Sequence, residues 1–518
     1  MRNFLFALTL LISSACGLVL EIVAGRLLAP YVGMSLYTWT AIIAVVLAGL
    51  SVGHWVGGAL AAPHVDNRLG SRRVAWALAL ASLSSLATLV LLREVSGTLL
   101  QSGLGQIEII VLLTSALFFL PSLFVGIVSP ILTKLAVDAS RHHPGGVIGR
   151  MFALGTLGSI AGTLLAGYLF ISWIGSTGTV LMVAGVYAVL AALFAFFDRM
   201  VIVTLIALGV SLGATAIWGN SVQAFTSPCK IESDYFCIRI DDFQSTPGPN
   251  DTSFNGPGAR LMALDHLVHS INDQNNPGLF YSPYIHFVDE YARARLGSAP
   301  RSAYFIGGGG FTLPRAWAAE FQGQAKLVVA EIDPAVTRAA AEHLWLDPHA
   351  PGLDIVNQDA RTHLQSLSPQ PTFDVVFGDA FHDISIPPHL VSQEFTEQIA
   401  RRLNQSGFYA VNAVDHGQNP RFLLSLARTL GTRFASVEVW AERSQMGQDG
   451  RVTFVVVASN APGGLQVLDA TRGLERTWVR WPDADLRARA LASDVPILTD
   501  DYAPVDRLMS GMLTAPSM

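Results

Sequence analysis

Three acidic residues, Glu331, Asp359 and Asp379, each follow a short apolar run, and a glycine run, Gly307-Gly308-Gly309-Gly310, precedes them in the chain. Consecutive glycines let a backbone approach a ligand with no Cβ in the way. An acid ending the strand after such a turn accepts hydrogen bonds from ribose hydroxyls. That assigns ribose to Glu331 and an adenine amino group to Asp359. Asp379 ends a further run and points into the same crevice. A carboxylate partly withdrawn from water there can take a proton or stabilise a cation. The same acids repel phosphate. The set therefore predicts a site for an adenosyl nucleoside. No paired cysteine or histidine spacing suits a metal, and none is expected.

The elements that must hold these residues alternate. SAYFIGGGG (302–310) reads as a strand running into a turn, FTLPRAWAAEF as a helix, and KLVVAEIDP and AVTRAAAEHL as the next strand and helix. LDIVNQDAR, FDVVFGDAF, GFYAVNAV and VTFVVVAS continue the strands, with SQEFTEQIARRL a helix between them. Strand and helix in alternation predict a doubly wound, Rossmann-like α/β sheet, and such sheets bind ligands beyond the carboxyl ends of their strands. All the candidate residues fall at such ends. Upstream, 232–240 and 260–270 read as strands of a small β subdomain, separated by the loop QSTPGPNDTSFNGPG (244–258).

The first 220 residues belong to a different solvent. They hold ten basic and six acidic residues, whereas the whole chain carries a net charge of −6 and is 51% hydrophobic and 14% charged. Apolar runs near 4–28, 38–62, 74–92, 107–130, 148–172, 178–197 and 200–218 approach the roughly 20 residues a bilayer-spanning helix needs. They predict a multi-pass α-helical membrane domain of about seven spans, with the lipid bilayer as its partner. Asp198-Arg199 marks a tight turn between the last two. Pro121 and Pro130 fall within the fourth run, and GTLGSIAGTLLAG (155–167) has the small residues that let helices pack closely in lipid. Three domains follow: 1–220 in the membrane, 221–295 as the small β subdomain, and 296–518 as the α/β domain. The acidic remainder of the chain excludes nucleic acid, which calls for a basic face.

Basic residues gather in the loops on the N-terminal side, at Arg68, Arg72, Arg73, Lys134, Arg141 and Arg150. The positive-inside rule then puts the N-terminus in the cytoplasm. An odd number of spans would put the soluble part outside, where a Cys229–Cys237 disulfide would suit the oxidising side. A nucleoside metabolite argues for the cytoplasm, so the side of the soluble domain stays open.

Residues 225–510 resemble the spermidine synthases, aminopropyltransferases that use decarboxylated S-adenosylmethionine. The motifs in order are IGGGG (306–310), EIDP (331–334), QDAR (358–361), GDAF (378–381), IPPHLVSQEF (386–395) and LTDDYAP (498–504). The whole chain is similar to the bacterial branch of that family fused to an N-terminal multi-pass membrane domain. The resemblance implies an inner-membrane location, a small-molecule amine as acceptor and a homo-oligomer. It implies that the glycines and Glu331 hold the methionine end and ribose of the donor, that Asp359 and Ala360 hold adenine, and that Asp379 is the catalytic acid. Asp265, His269 and Tyr284 match acceptor-side positions, and Asp383 stands near the place of a second acid.

Departures from the family pattern bear on the acceptor. Gly310 replaces an acid that holds the donor's amine, His269 stands where glutamine is usual, and YSPYIHF lacks the acid or glutamine after its tyrosine. A diamine carries two positive charges, and this site offers it fewer carboxylates. Two functions remain from one site: aminopropyl transfer to an amine, or a lyase reaction on intact S-adenosylmethionine giving methylthioadenosine and homoserine lactone. A methyltransferase, or a transporter or sensor that only binds a nucleoside, would share the sheet.

Overall fold

The computed structural model describes residues 2–62, 66–140, 144–196, 201–243, 258–381 and 384–514. The chain divides into two compact units, one spanning Met1–Glu232 and the other Ser233–Ala515. The turn at Asp198-Arg199 and all of the 244–258 loop but Gly258 lie outside the described residues.

The first unit is helical: α1 (Arg2–Val32), α2 (Leu36–Leu60), α3 (Asn67–Leu100), α4 (Gln106–Asp138), α5 (Pro144–Leu165), α6 (Ile171–Ala195) and α7 (Val201–Ser221), closed by a two-residue strand β1 (Ile231–Glu232). Among the described residues, five segments are long and apolar enough to cross a membrane, the fifth being Pro144–Ala195 with 52 residues. At 1.5 Å per residue that segment would reach about 78 Å, more than twice a bilayer core of about 30 Å. It contains a π-helical turn at Ala166–Phe170 and breaks at Gly175, whose φ of 71° no helix accommodates. Helix α7 has 21 residues and includes the apolar stretch Leu205–Ser221. Helix α4 runs through both Pro121 and Pro130.

The second unit opens with an antiparallel meander, β2 (Cys237–Phe243), β3 (Ala259–Leu264) and β4 (Leu267–Asp273). The single strand expected over 260–270 is a hairpin. Leu264 pairs with Leu267, and Asp265 takes a φ of 54°. Aspartate is among the few residues other than glycine that visit that left-handed conformation, and the Asp265 side chain accepts from the Cys237 amide across on β2. Helix α8 (Pro283–Leu296) follows, with Pro283 pre-set for its first turn.

The α/β core then runs β5 (Ser302–Ile306), α9 (Thr312–Phe321), β6 (Lys326–Ala330), α10 (Pro334–His343), β7 (Leu353–Val356), α11 (Ala360–Ser366), β8 (Phe373–Gly378), α12 (Gln393–Ala400), β9 (Leu403–His416) and α13 (Arg421–Leu430). It ends with β10 (Ser436–Glu442), β11 (Arg451–Ser459), β12 (Val467–Asp469), β13 (Thr477–Arg480), α14 (Asp483–Ala492) and α15 (Val505–Thr514). The nine strands lie in the order β12-β13-β10-β11-β9-β8-β5-β6-β7. Pairing is parallel from β9 through β8, β5 and β6 to β7, and antiparallel on the other side. From β5 the chain winds outward through β6 and β7, then returns to β8 on the opposite flank. The β5–β8 seam is therefore the topological switch point, where α/β sheets open a crevice. Its strands are buried on both faces, with Tyr304, Ile306, Val376 and Val411 packed against Phe395 and Leu423 from the covering helices.

Candidate active site

The glycine turn continues β5 and Asp379 continues β8, so the switch point brings them side by side. Gly307 has a φ of 92°, and a Cβ there would stand 2.7 Å from the Asp379 carbonyl oxygen. The Asp379 amide donates to the Ile306 carbonyl at 2.9 Å, so the β5–β8 register extends one step into the site. Only glycine at 307 lets the two loops close on each other.

Glu331, 5% exposed, grips the turn from the next strand. Its Oε2 accepts from the Gly308 amide at 2.8 Å and the Gly309 amide at 3.2 Å, and its Oε1 accepts from the Asp333 amide at 2.9 Å. Burial raises its pKa, while the Asp333, Gly308 and Gly309 amides pull the other way. A carboxylate offers about four acceptor positions, and three are taken. One acceptor position therefore remains for a ligand hydroxyl, and a second hydroxyl would require an amide to give way. Gly310 is closed to any side chain, since a Cβ there would meet Ser270 Oγ at 2.0 Å and Leu344 Cδ1 at 3.0 Å. The acid missing at this position is thus excluded by packing, and Asn272 instead holds the Gly310 carbonyl at 2.7 Å.

Asp359 caps α11. One oxygen accepts from the Thr362 amide at 2.8 Å, and the other pairs with His389 Nε2 at 2.9 Å. Burial works to raise its pKa, but these bonds outweigh it and hold the carboxyl below its ordinary value. Ala360 is buried beside it, and its carbonyl accepts from the Tyr304 hydroxyl. Arg361, the next residue, makes a two-pronged pair with Asp500 at 2.7 and 2.6 Å and also donates to the His389 carbonyl. The segments QDAR, IPPHLVSQEF and LTDDYAP therefore form one connected wall.

Asp379 is half-buried, and its carboxyl is pushed up to about 7 by burial. Asn412 and Tyr284 oppose that shift by hydrogen bonding to the carboxylate. Asn412 Nδ2 donates to Asp379 Oδ1 at 2.8 Å. Sequence reasoning missed Asn412. The available signal was an amide inside the otherwise apolar run FYAVNAV, because a buried polar group in a central strand needs a partner. The Tyr284 hydroxyl also lies 3.3 Å from the His269 carbonyl, which ties α8 and β4 to the same carboxylate.

The residues matched to acceptor-side positions hold few free acids, in keeping with the expected shortage of carboxylates. Asp265 is 3% exposed, and its Oδ1 accepts from the Cys237 amide at 2.9 Å, bracing the hairpin. His266 and His269 are held neutral, both lowered to about 4, first by burial and then by the charge of Arg451. Arg239 adds to the effect on His266. Asp383 lies outside the described residues. No cluster of histidine, cysteine or acid able to hold a metal ion occurs among the described residues.

The chain is similar to polyamine aminopropyltransferase 1 of Streptomyces coelicolor, with 24% identity over 473 residues, 87% of this chain and 83% of that protein. It is similar to polyamine aminopropyltransferase 2 of the same organism, also at 24%, over 83% of this chain and 77% of that protein. Over most of its length the chain resembles the aminopropyltransferases of the spermidine synthase family. Both alignments are longer than the second unit, Ser233–Ala515, so the likeness extends into the N-terminal helices. No family model matches the chain. Among solved structures, a probable spermidine synthase from Corynebacterium glutamicum aligns over 54% of this chain and 99% of its own, at 20% identity and a TM-score of 0.44.

Proposed function

We propose that this chain is a membrane-anchored transferase of the spermidine synthase family that moves an aminopropyl group from decarboxylated S-adenosylmethionine to an amine, releasing methylthioadenosine. The observation that carries the reading is the half-buried Asp379 carboxyl, raised to about 7 at the switch point and bracketed by Asn412 and Tyr284. Such a group changes protonation near neutral pH, which suits a general base. In the reaction the acceptor nitrogen forms a bond to the carbon beside the sulfonium. The C–S bond breaks, its electron pair neutralises sulfur, and the ammonium proton passes to Asp379. Gly307, Gly308, Gly309, Gly310 and Glu331 hold the methionine end and ribose of the donor, and Asp359 and Ala360 the adenine. Tyr284 and His269 face the acceptor. Methylthioadenosine release, followed chromatographically from decarboxylated donor with and without putrescine, tests the reading.

One observation favours a second reading. The acceptor side keeps Asp265 in a structural bond and places Arg451 near two neutral histidines. That environment repels a diamine and tolerates a carboxylate. Intact S-adenosylmethionine would then be the substrate. Its carboxylate oxygen attacks its own γ-carbon, the C–S bond breaks, and methylthioadenosine and homoserine lactone leave with no amine consumed. A bacterial inner-membrane location is proposed with both readings.

A further inference from the structure

Helices α1, α2, α4 and α5 line a cavity of about 250 Å³ in their middle turns. Its polar side chains are Ser13 and Ser14 of α1, His54 of α2, Ser122 and Ser129 of α4, and Thr156 and Ser159 of α5. Among the described residues, no lysine, arginine, aspartate or glutamate lines it.

A hydroxyl in a membrane helix ordinarily turns back to its own backbone. Thr114 does so to Ile110, Thr156 to Phe152 and Thr163 to Ser159. In the cavity Ser13 likewise donates to the Leu10 carbonyl, but Ser14, Ser122, Ser129 and Ser159 make no side-chain hydrogen bond among the described residues. Ser122 is the sharpest case, being only 7% exposed, unpartnered and facing the cavity. Polar groups at membrane depth cost free energy unless something satisfies them. Four unspent hydroxyls and an imidazole around one space point to a ligand that supplies the missing hydrogen bonds.

The packing says where this space lies. Helices α2 and α4 are locked by glycines, since a Cβ at Gly53 would stand 2.2 Å from the Leu123 carbonyl oxygen. Helices α5 and α1 are locked likewise: a Cβ at Gly158 would stand 2.1 Å from the Leu11 carbonyl oxygen, and one at Gly162 2.2 Å from that of Ala15. The cavity is lined from both pairs, so it sits at the joint between two closely packed helix pairs. Membrane proteins that move small molecules place their sites at such joints.

We propose that this cavity is a binding site for an uncharged, hydroxyl-bearing small molecule. The lining selects against a polyamine, whose charges would enter the bilayer with no carboxylate to meet them, and against a phosphate, which would find no cation. The thioether nucleoside methylthioadenosine is uncharged and rich in hydrogen-bonding groups, and it belongs to the class the lining accepts. Its choice as ligand rests on the reaction proposed above; the uncharged class rests on the cavity alone.

The test is equilibrium dialysis of the full-length protein in detergent with radiolabelled methylthioadenosine, and with radiolabelled putrescine as the charged control. The wild type should show two binding phases. Ser159→Leu, which fills the cavity, and Ser122→Ala, which removes the buried hydroxyl without added bulk, should each remove or weaken one phase and leave turnover unchanged. Glu331→Gln should weaken the other phase only. If the proposed reaction is wrong but the cavity reading right, Glu331→Gln leaves the serine-sensitive phase intact whatever the turnover assay returns. A single phase indifferent to Ser159→Leu and Ser122→Ala overturns the proposal. So does putrescine binding that these two variants abolish.

Discussion

Asn412 Nδ2 donates a hydrogen bond to Asp379 Oδ1 at 2.8 Å, across the parallel β8–β9 pair. The amide stabilises the charged form of a carboxylate that burial otherwise drives toward neutrality. Asn412→Leu keeps the bulk and removes the donor. The acidic limb of the kcat/KM–pH profile should then move from about 7 to higher pH, with activity at pH 7 falling several-fold. An unshifted limb would mean that Asn412 does not tune the base.

Asp379→Asn should lower turnover by about 10²- to 10⁴-fold, the usual worth of a positioned base, while donor binding measured by calorimetry is retained. The same variant has a stability signature. The folded pKa lies near 7, above the ordinary 3.8. The native state therefore holds this proton where the unfolded chain has lost it, and stability from this group declines as pH rises through that window. The variant should melt above the wild type at pH 8 and close to it at pH 4. Equal melting at both values would show that the carboxyl is not buried in this way.

The glycine turn makes a steric prediction. Gly310→Asp restores the acid of the family pattern but drives a Cβ to within 2.0 Å of Ser270 Oγ. Overpacking of that kind costs about 1–3 kcal/mol, seen as a lowered melting temperature of the detergent-purified protein. Adding Ser270→Gly should recover part of the loss. Gly310→Asp that melts like the wild type would refute the close packing.

His266 and His269 set an acid limit. Their pKa values, lowered to about 4 from 6.5, mean that the unfolded chain takes up protons between those values and the native state does not. Stability from this pair is complete above pH 6.5 and is lost as pH falls toward 4. Arg451→Met removes part of the depression and should make the acid loss shallower. Denaturation followed against pH checks this, and an unchanged slope would place Arg451 outside the pair's field.

Much of this arrangement was legible from residue order. Glycines and acids after successive apolar strands led directly to the β5–β8 switch point, because strand ends in a doubly wound sheet converge there. The span near 148–172 was less legible. The chain keeps helical geometry through a π turn before breaking at Gly175, and hydropathy does not register a dihedral angle. Asp265 was read as facing a substrate, whereas it braces a hairpin. A strand pattern through 260–270 conceals a two-residue turn when apolar residues continue on both sides. Asn412 and Arg451 were missed because their roles come from β9 and β11, far along the chain from the motifs they serve.

The most direct measurement is methylthioadenosine release by the detergent-purified full-length protein, given decarboxylated S-adenosylmethionine with and without putrescine, and intact S-adenosylmethionine alone. The account predicts release from the decarboxylated donor that requires the amine and is lost in Asp379→Asn. Release from the intact donor alone, or from neither, would contradict it.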